Sequence, residues 1–525
     1  MSEQVKIVLV HGWSVFDTST YGELPQRLVA ESQAGRLPNV TVQTVWLGKY
    51  VSFRDEVRLS DLARGFEAAV RREVLAEDPD ERFACITHST GGPVVREWWW
   101  RQYQNRLRPC PMSHLIMLAP ANFGSALAPL GKKRLGRLRS WQHGIEPGQG
   151  VLEWLEHGSN ESWELNRDWI LDSDNSSPIA DNIAPVYPFV LTGQSIDRKL
   201  YDHLNSYTGE AGSDGTIRAA AANLNATYVR MEQQVTTDDV RQLDQELKKA
   251  RDVNQRPDLD SLRHRPTLKV TERCTAAPTA FRLIEGASHT GSEDGILFSI
   301  KQDPSQRNST VSAIIRCLNV QDAAGYTKLS QEFVAETAKV RERERLESTG
   351  AWLLKQEFFH DAHSLAIVRF RDDEGHVLTD LDFKLTGGKQ DRADGLPPGF
   401  LVDRQKNLVD SSTLTFFCNH DVLVGLPAVI DKNGVKHRDA LPGIDQMGVH
   451  VYAYPYLGFV RFFPAVLKAA KKVVDELLLP DQTTLIEIVL KRIIHQGVYE
   501  LPRSDRNPSQ SHDFRQQPLG EVIDV

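Results

Sequence analysis

Thr87-His88-Ser89-Thr90-Gly91-Gly92 is the stretch on which the reading of this chain turns. It follows the apolar run Phe83-Ala84-Cys85-Ile86, the pattern of a strand buried on both faces. It precedes Pro93-Val94-Val95-Arg96-Glu97-Trp98-Trp99-Trp100, which opens a helix. A serine on a sharp strand-to-helix turn is the setting in which a G-x-S-x-G nucleophile elbow has mechanical meaning. The turn exposes the Ser89 hydroxyl. The first N–H groups of the helix, unpaired within it, point toward any negative charge that forms there. Thr87 stands where the motif has its first glycine, and a turn with a purely structural serine fits these residues equally well. The rest of the chain has to decide.

Upstream, Val5 to Val10 is apolar except for Lys6, again a strand buried on both faces, and it ends in His11-Gly12-Trp13. Gly12 allows a tight turn, and the N–H that follows it is placed to be a second oxyanion donor. Between these strands, Gly22 to Ala34 and Leu59 to Ala76 carry apolar residues at helical spacing, with Leu62, Phe66, Val70 and Val74 on one face. Strand and helix in alternation predict an α/β fold with a parallel sheet. His114 to Ala119 and Tyr187 to Thr192 read as further strands of it.

Residues 124–183 are too many for a connection and read as an insertion over the site, a cap or lid. This insertion carries Lys132, Lys133, Arg134, Arg137 and Arg139 together with Trp141, Trp154, Trp163 and Trp169. Basic and aromatic residues together suit a surface that meets lipid headgroups, while a helical cap with its tryptophans packed inside is the plainer alternative. A second, charged insertion covers 231–265. Between the two, Asp214 sits among glycines in Glu210-Ala211-Gly212-Ser213-Asp214-Gly215, just past the strand at Tyr187 to Thr192. A strand at Ala280 to Ile284 then runs into Glu285-Gly286-Ala287-Ser288-His289-Thr290-Gly291, where His289 is a candidate base.

Ser89, Asp214 and His289 thus come in the order Ser…Asp…His, each past a strand. Serine is a weak nucleophile until an imidazole takes its proton, and that imidazole needs a carboxylate to fix its tautomer. Glu210 and Asp197 are the alternative acids. With this order and these loops, residues 5–300 resemble an α/β-hydrolase of the lipase kind. The resemblance implies ester hydrolysis through an acyl-enzyme, with the Trp13 and Thr90 N–H groups forming the oxyanion hole. Its implied substrate is a lipid or other acyl ester, reached through peripheral contact with a membrane. A membrane-degrading bacterial phospholipase effector is one role that fits such a chain. A thioesterase or acyltransferase would use the same triad. A binding module that has kept the fold without turnover is the reading from another class.

The remainder bounds this picture. A chain of 525 residues is longer than one ordinary core, and a net charge of -8 with both signs interspersed gives no reason to expect nucleic acid. Five scattered cysteines argue for a reducing compartment and offer no metal-ligand spacing, so neither metal nor cofactor is expected. Neither a secretory leader nor a transmembrane run is seen, so the expected location as synthesised is cytoplasmic. The expected organisation is a catalytic domain over 1–320, a linking helix over 321–350, a smaller antiparallel β-sandwich-like domain over 351–500 and a disordered tail over 501–525. Within the third unit, Pro464 to Leu478 reads as one amphipathic helix, and His360, Asp361 and His363 read as loop residues, not metal ligands. The β domain is where a protein partner would dock.

Overall fold

The computed structural model describes residues 5–11, 21–51, 56–106, 108–129, 149–172, 185–195, 210–242, 266–291, 293–344, 346–349, 356–430, 433–455 and 460–494. The first eight strands are β1 (Val5–Val10), β2 (Val40–Val45), β3 (Phe83–His88), β4 (Met112–Leu118), β5 (Tyr187–Thr192), β6 (Ala226–Gln234), β7 (Thr267–Thr275) and β8 (Ala280–Leu283). Six of them form a wholly parallel sheet in the order β2-β1-β3-β4-β5-β8. Residues on successive positions enter opposite cores, as a period of two demands. Val8, Cys85, Leu115 and Met117 face one side; Leu9, Ile86, Ile116 and Leu118 face the other.

Helices α1 (Leu24–Gln33), α2 (Leu59–Ala69) and α3 (Gly91–Gln102) cover this sheet from both sides. Leu62, Phe66 and, in a continuing π-helical turn, Val70 and Val74 pack on one face with Val94, Val95 and Trp98 of α3. Leu24 and Leu28 pack on the other. Of the expected cap, α4 (Gln149–Leu155) and α5 (Asn160–Leu171) are described, and Trp154 and Trp163 are buried there. The basic cluster from Lys132 to Arg139 and Trp141 lie outside the described residues. So does most of the expected insertion at 231–265, and so does the tail from 501.

Past α6 (Ser309–Leu318), helix α7 (Ala323–Glu344) takes the place expected for a linking helix, but it is no free spacer. Phe333 is buried against the hydrolase core, Tyr326 Oη donates to Pro188 O at 2.7 Å, and Thr337 Oγ1 accepts from Leu283 N at 3.1 Å. The helix therefore flanks β8 as part of the first layer.

A second sheet follows, with β9 (His363–Asp372), β10 (Leu381–Gly387), β11 (Leu401–Lys406), β12 (Thr413–Asn419), β13 (Gln446–Ala453), β14 (Ala465–Ala470) and β15 (Thr483–Leu490). Its order is β10-β13-β14-β7-β6-β15-β9-β12-β11, so β6 and β7 belong here and not to the parallel sheet. This corrects the boundary at residue 320. Residues 226–234 and 267–275 leave the hydrolase layer for the second sheet, and the chain then returns to make β8. Most neighbours run antiparallel, while β15 lies parallel to both β6 and β9. The expected second β domain is present, with mixed strand directions. Its largest sheet among the described residues has nine strands, and the hydrolase core packs on one of its two faces. Leu365, Ile367, Phe417 and Leu485 share a core with α2 and α3, and the alternate residues Ala366, Val368 and Phe370 form a core of their own on the opposite face. Pro464 to Leu478 is not one helix: β14 takes its first half and α8 (Lys471–Leu477) its second. No helix among the described residues is long and apolar enough to cross a membrane.

Candidate active site

Ser89 directly follows β3 with φ of +54°, one of only four non-glycine residues with positive φ among those described. Such a backbone costs on the order of 1–3 kcal/mol and persists only where its surroundings impose it. They do so here. Ser89 N donates to Leu118 O at 3.0 Å, and its own carbonyl accepts from Gly92 N at 3.2 Å and from Ala121 N at 3.3 Å. The two glycines of the motif are required by contact. A Cβ on Gly91 would lie 2.7 Å from Val10 O, and one on Gly92 would lie 2.7 Å from Pro120 Cβ. Thr87, in the place of the first glycine, is wholly buried and leaves the turn intact. Thr90 is the residue that precedes the first turn of α3. Trp13 lies outside the described residues.

The acid loop is built from its own backbone. Asp214 N donates to Ile217 O at 3.1 Å, and Asp214 Oδ1 accepts from Thr216 N at 3.0 Å and Ile217 N at 2.7 Å. This leaves Oδ2, which accepts from His289 Nδ1 at 2.8 Å. His289 N also donates to Asp214 O at 3.0 Å, so the two loops are tied twice. The histidine loop is closed by a residue the sequence reading passed over: Ser288 Oγ bonds Asp294 Oδ1 at 2.8 Å and accepts from Gly291 N at 3.2 Å.

The other nitrogen, His289 Nε2, is 3.3 Å from Ser89 Oγ. That is at the long end for a hydrogen bond, and such bonds commonly tighten once substrate is bound. All three side chains are buried: Ser89 is 6% exposed, His289 5% and Asp214 1%. Three loops thus bring hydroxyl, imidazole and carboxylate within hydrogen-bonding reach of one another in sequence.

The alternative acids fare differently. Both oxygens of Glu210 are held by Arg218, at 2.8 Å each, so Glu210 is occupied elsewhere. Asp197 lies outside the described residues. His88 is a neighbour the sequence did not assign. Its ring lies 4.9 Å from that of His289 and 5.4 Å from that of His11. Burial, aided by these two imidazoles, holds His88 well below the usual histidine range, so it packs as a neutral ring and does not compete for the proton. Among the described residues no group of His, Cys, Asp and Glu is arranged to hold a metal. Asp361 is paired instead with Arg438, at 2.6 and 2.8 Å.

No family model matches the chain, nor does any curated protein. Among solved structures, phospholipase PlaB from Legionella pneumophila in complex with thio-NAD is 35% identical, with a TM-score of 0.78. The match covers 99% of this chain and 100% of that one. A second structure of the same phospholipase is 37% identical over the same shares, with a TM-score of 0.77. Identity at that level from end to end, on both the hydrolase layer and the second sheet, shows the family: the chain belongs to that of the Legionella pneumophila phospholipase PlaB.

Proposed function

We propose that this chain is a serine phospholipase in which Ser89, His289 and Asp214 are the catalytic triad. One observation carries the reading: His289 lies between the other two, 2.8 Å from Asp214 and 3.3 Å from Ser89. Ser89 Oγ attacks the acyl carbonyl of the ester while His289 Nε2 takes its proton. Asp214 fixes the tautomer that leaves Nε2 free to do so. The tetrahedral oxyanion is met by backbone N–H groups, those of Thr90 and Trp13 in this reading, which form no covalent bond but lower the barrier. His289 then gives the proton to the leaving alcohol, and water repeats the sequence on the acyl-enzyme. The test is direct: a fluorophosphonate probe should label the wild type at Ser89, and fatty acid should be released from phospholipid vesicles. An unlabelled Ser89 would remove the reading.

A phospholipid substrate brings the enzyme to a membrane surface, and the residues proposed to meet it are Lys132, Lys133, Arg134, Arg137 and Arg139. Each basic side chain near an anionic surface contributes about 1 kcal/mol, screened by salt. Replacing all of them with glutamine is expected to weaken binding to anionic vesicles while hydrolysis of a short soluble ester continues. Equal loss on both substrates would instead assign the cluster a structural role. The relative in complex with thio-NAD supports a second expectation, that a nicotinamide dinucleotide binds this chain too. A ligand held only by the folded state raises its melting temperature, so thio-NAD should raise the Tm of the full chain. An unchanged Tm at saturating dinucleotide counts against it.

A further inference from the structure

The acid loop, residues 210–218, does not stand on the hydrolase layer alone. Arg218 closes it from below: its backbone bridges Ser213, and Ala219 N donates to Gly212 O at 2.9 Å. The Arg218 side chain is 1% exposed. It binds Glu210 through two bonds of 2.8 Å and Asp403 of β11 through a third. Its guanidinium also lies 4.2 Å from the ring centroid of Phe417 on β12. His363 of β9 stacks on that same ring at 4.7 Å. Gly212, at φ +76°, comes so close to this histidine that a Cβ on it would lie 2.5 Å from His363 Nδ1. Just past the loop, Thr483 Oγ1 donates to Ala220 O and Asn223 Nδ2 donates to Asp481 O, each at 2.7 Å.

These partners come from four adjacent strands of the second sheet and the turn before one of them. We propose that the second sheet is the frame in which the catalytic acid is set, with Arg218 and Asp403 acting as positioning residues for Asp214. This rests on the triad reading above. The physical case is one of geometry. Asp214 accepts two backbone bonds from Thr216 and Ile217, so its carboxylate goes wherever that turn goes. The turn ends at Arg218, and Arg218 is fixed by a planar fork to carboxylates on both sides of the interface. A misplacement of about 1 Å at a catalytic group can cost about 100-fold in rate, so a remote anchor has a measurable effect.

The experiment is a double-mutant cycle on the full chain, read on a short soluble ester. Asp403→Asn keeps the shape and leaves Arg218 paired with Glu210, so the protein is expected to fold, which circular dichroism and Tm check. In the wild-type background kcat should fall about 10- to 100-fold with KM nearly unchanged. In an Asp214→Asn background the same change should have little further effect, because Asp403 acts through Asp214. Asp403→Glu, which restores the charge, should recover part of the rate. An unchanged kcat with only a lower Tm, or equal losses in both backgrounds, would overturn the proposal. If Asp403→Asn does not fold, Arg218→Lys, which keeps the charge and loses the fork, is read by the same cycle and the same criteria. A mild Asp214→Asn, by contrast, would sink the triad reading itself, a separate outcome in the same data.

Discussion

Ser89→Ala should fold as the wild type does and lose about 10⁶-fold in kcat on a short-chain ester, the scale seen when a triad nucleophile is removed. The side chain is small and buried, and no hydrogen bond of the turn depends on its hydroxyl: the elbow is held by the Ser89 N–H and carbonyl. The change therefore removes the nucleophile and little else. A remnant of about 10³–10⁴ over water should survive from binding and the oxyanion hole. Steady-state hydrolysis and fluorophosphonate labelling both read this. A loss below about tenfold would place the nucleophile on another residue.

Asp214→Asn is expected to cost about 10⁴ in kcat, the effect of the corresponding change in serine proteases. The geometry says why. Asparagine can keep its carbonyl oxygen toward Thr216 N and Ile217 N, which Asp214 Oδ1 now serves. Its amide then faces His289 Nδ1, where Oδ2 stands in the wild type. A donor in that place turns Nδ1 into an acceptor and moves the proton to Nε2, the nitrogen that has to receive one from Ser89. Binding should be little changed, so KM should hold while kcat collapses. Glu210→Gln is the control: its carboxylate serves Arg218, and its loss should be far milder. The reverse ranking would mean that the acid has been misassigned.

The parts of this architecture visible in the sequence are those set by local pattern. The strands of the parallel sheet are continuous apolar runs, and the triad order survives any length of insertion between its members. β2 escaped because Val40-Thr41-Val42-Gln43-Thr44-Val45 is an edge strand, half exposed and rich in polar residues. β6 and β7 escaped for another reason. Their sequence suits a strand, but nothing local says that β6 pairs with β15 some 250 residues later and not with a nearer strand. Asp372-Asp373-Glu374-Gly375, the composition of a hairpin turn, does form a tight turn after β9, yet β10 then crosses to the far edge of the sheet and pairs with β13. Arg218 shows the same limit within the site. It follows Asp214 by only a few residues, but its partner Asp403 is set by tertiary packing.

The excursion of β6 and β7 into the second sheet also sets an order of events at the ribosome. This hairpin lies between β14 and β15, the last strands of its sheet to be synthesised. At about 5–20 residues per second, the roughly 200 residues from Thr275 to Thr483 take on the order of ten to forty seconds to emerge. For all but the start of that wait Ser89, Asp214 and His289 have emerged, while both flanks of the hairpin remain unpaired edges open to wrong pairing. An interrupted chain would then carry every group of the triad without the strands that frame its acid. On the framing role proposed for the second sheet, such a chain would hold its catalytic acid out of place.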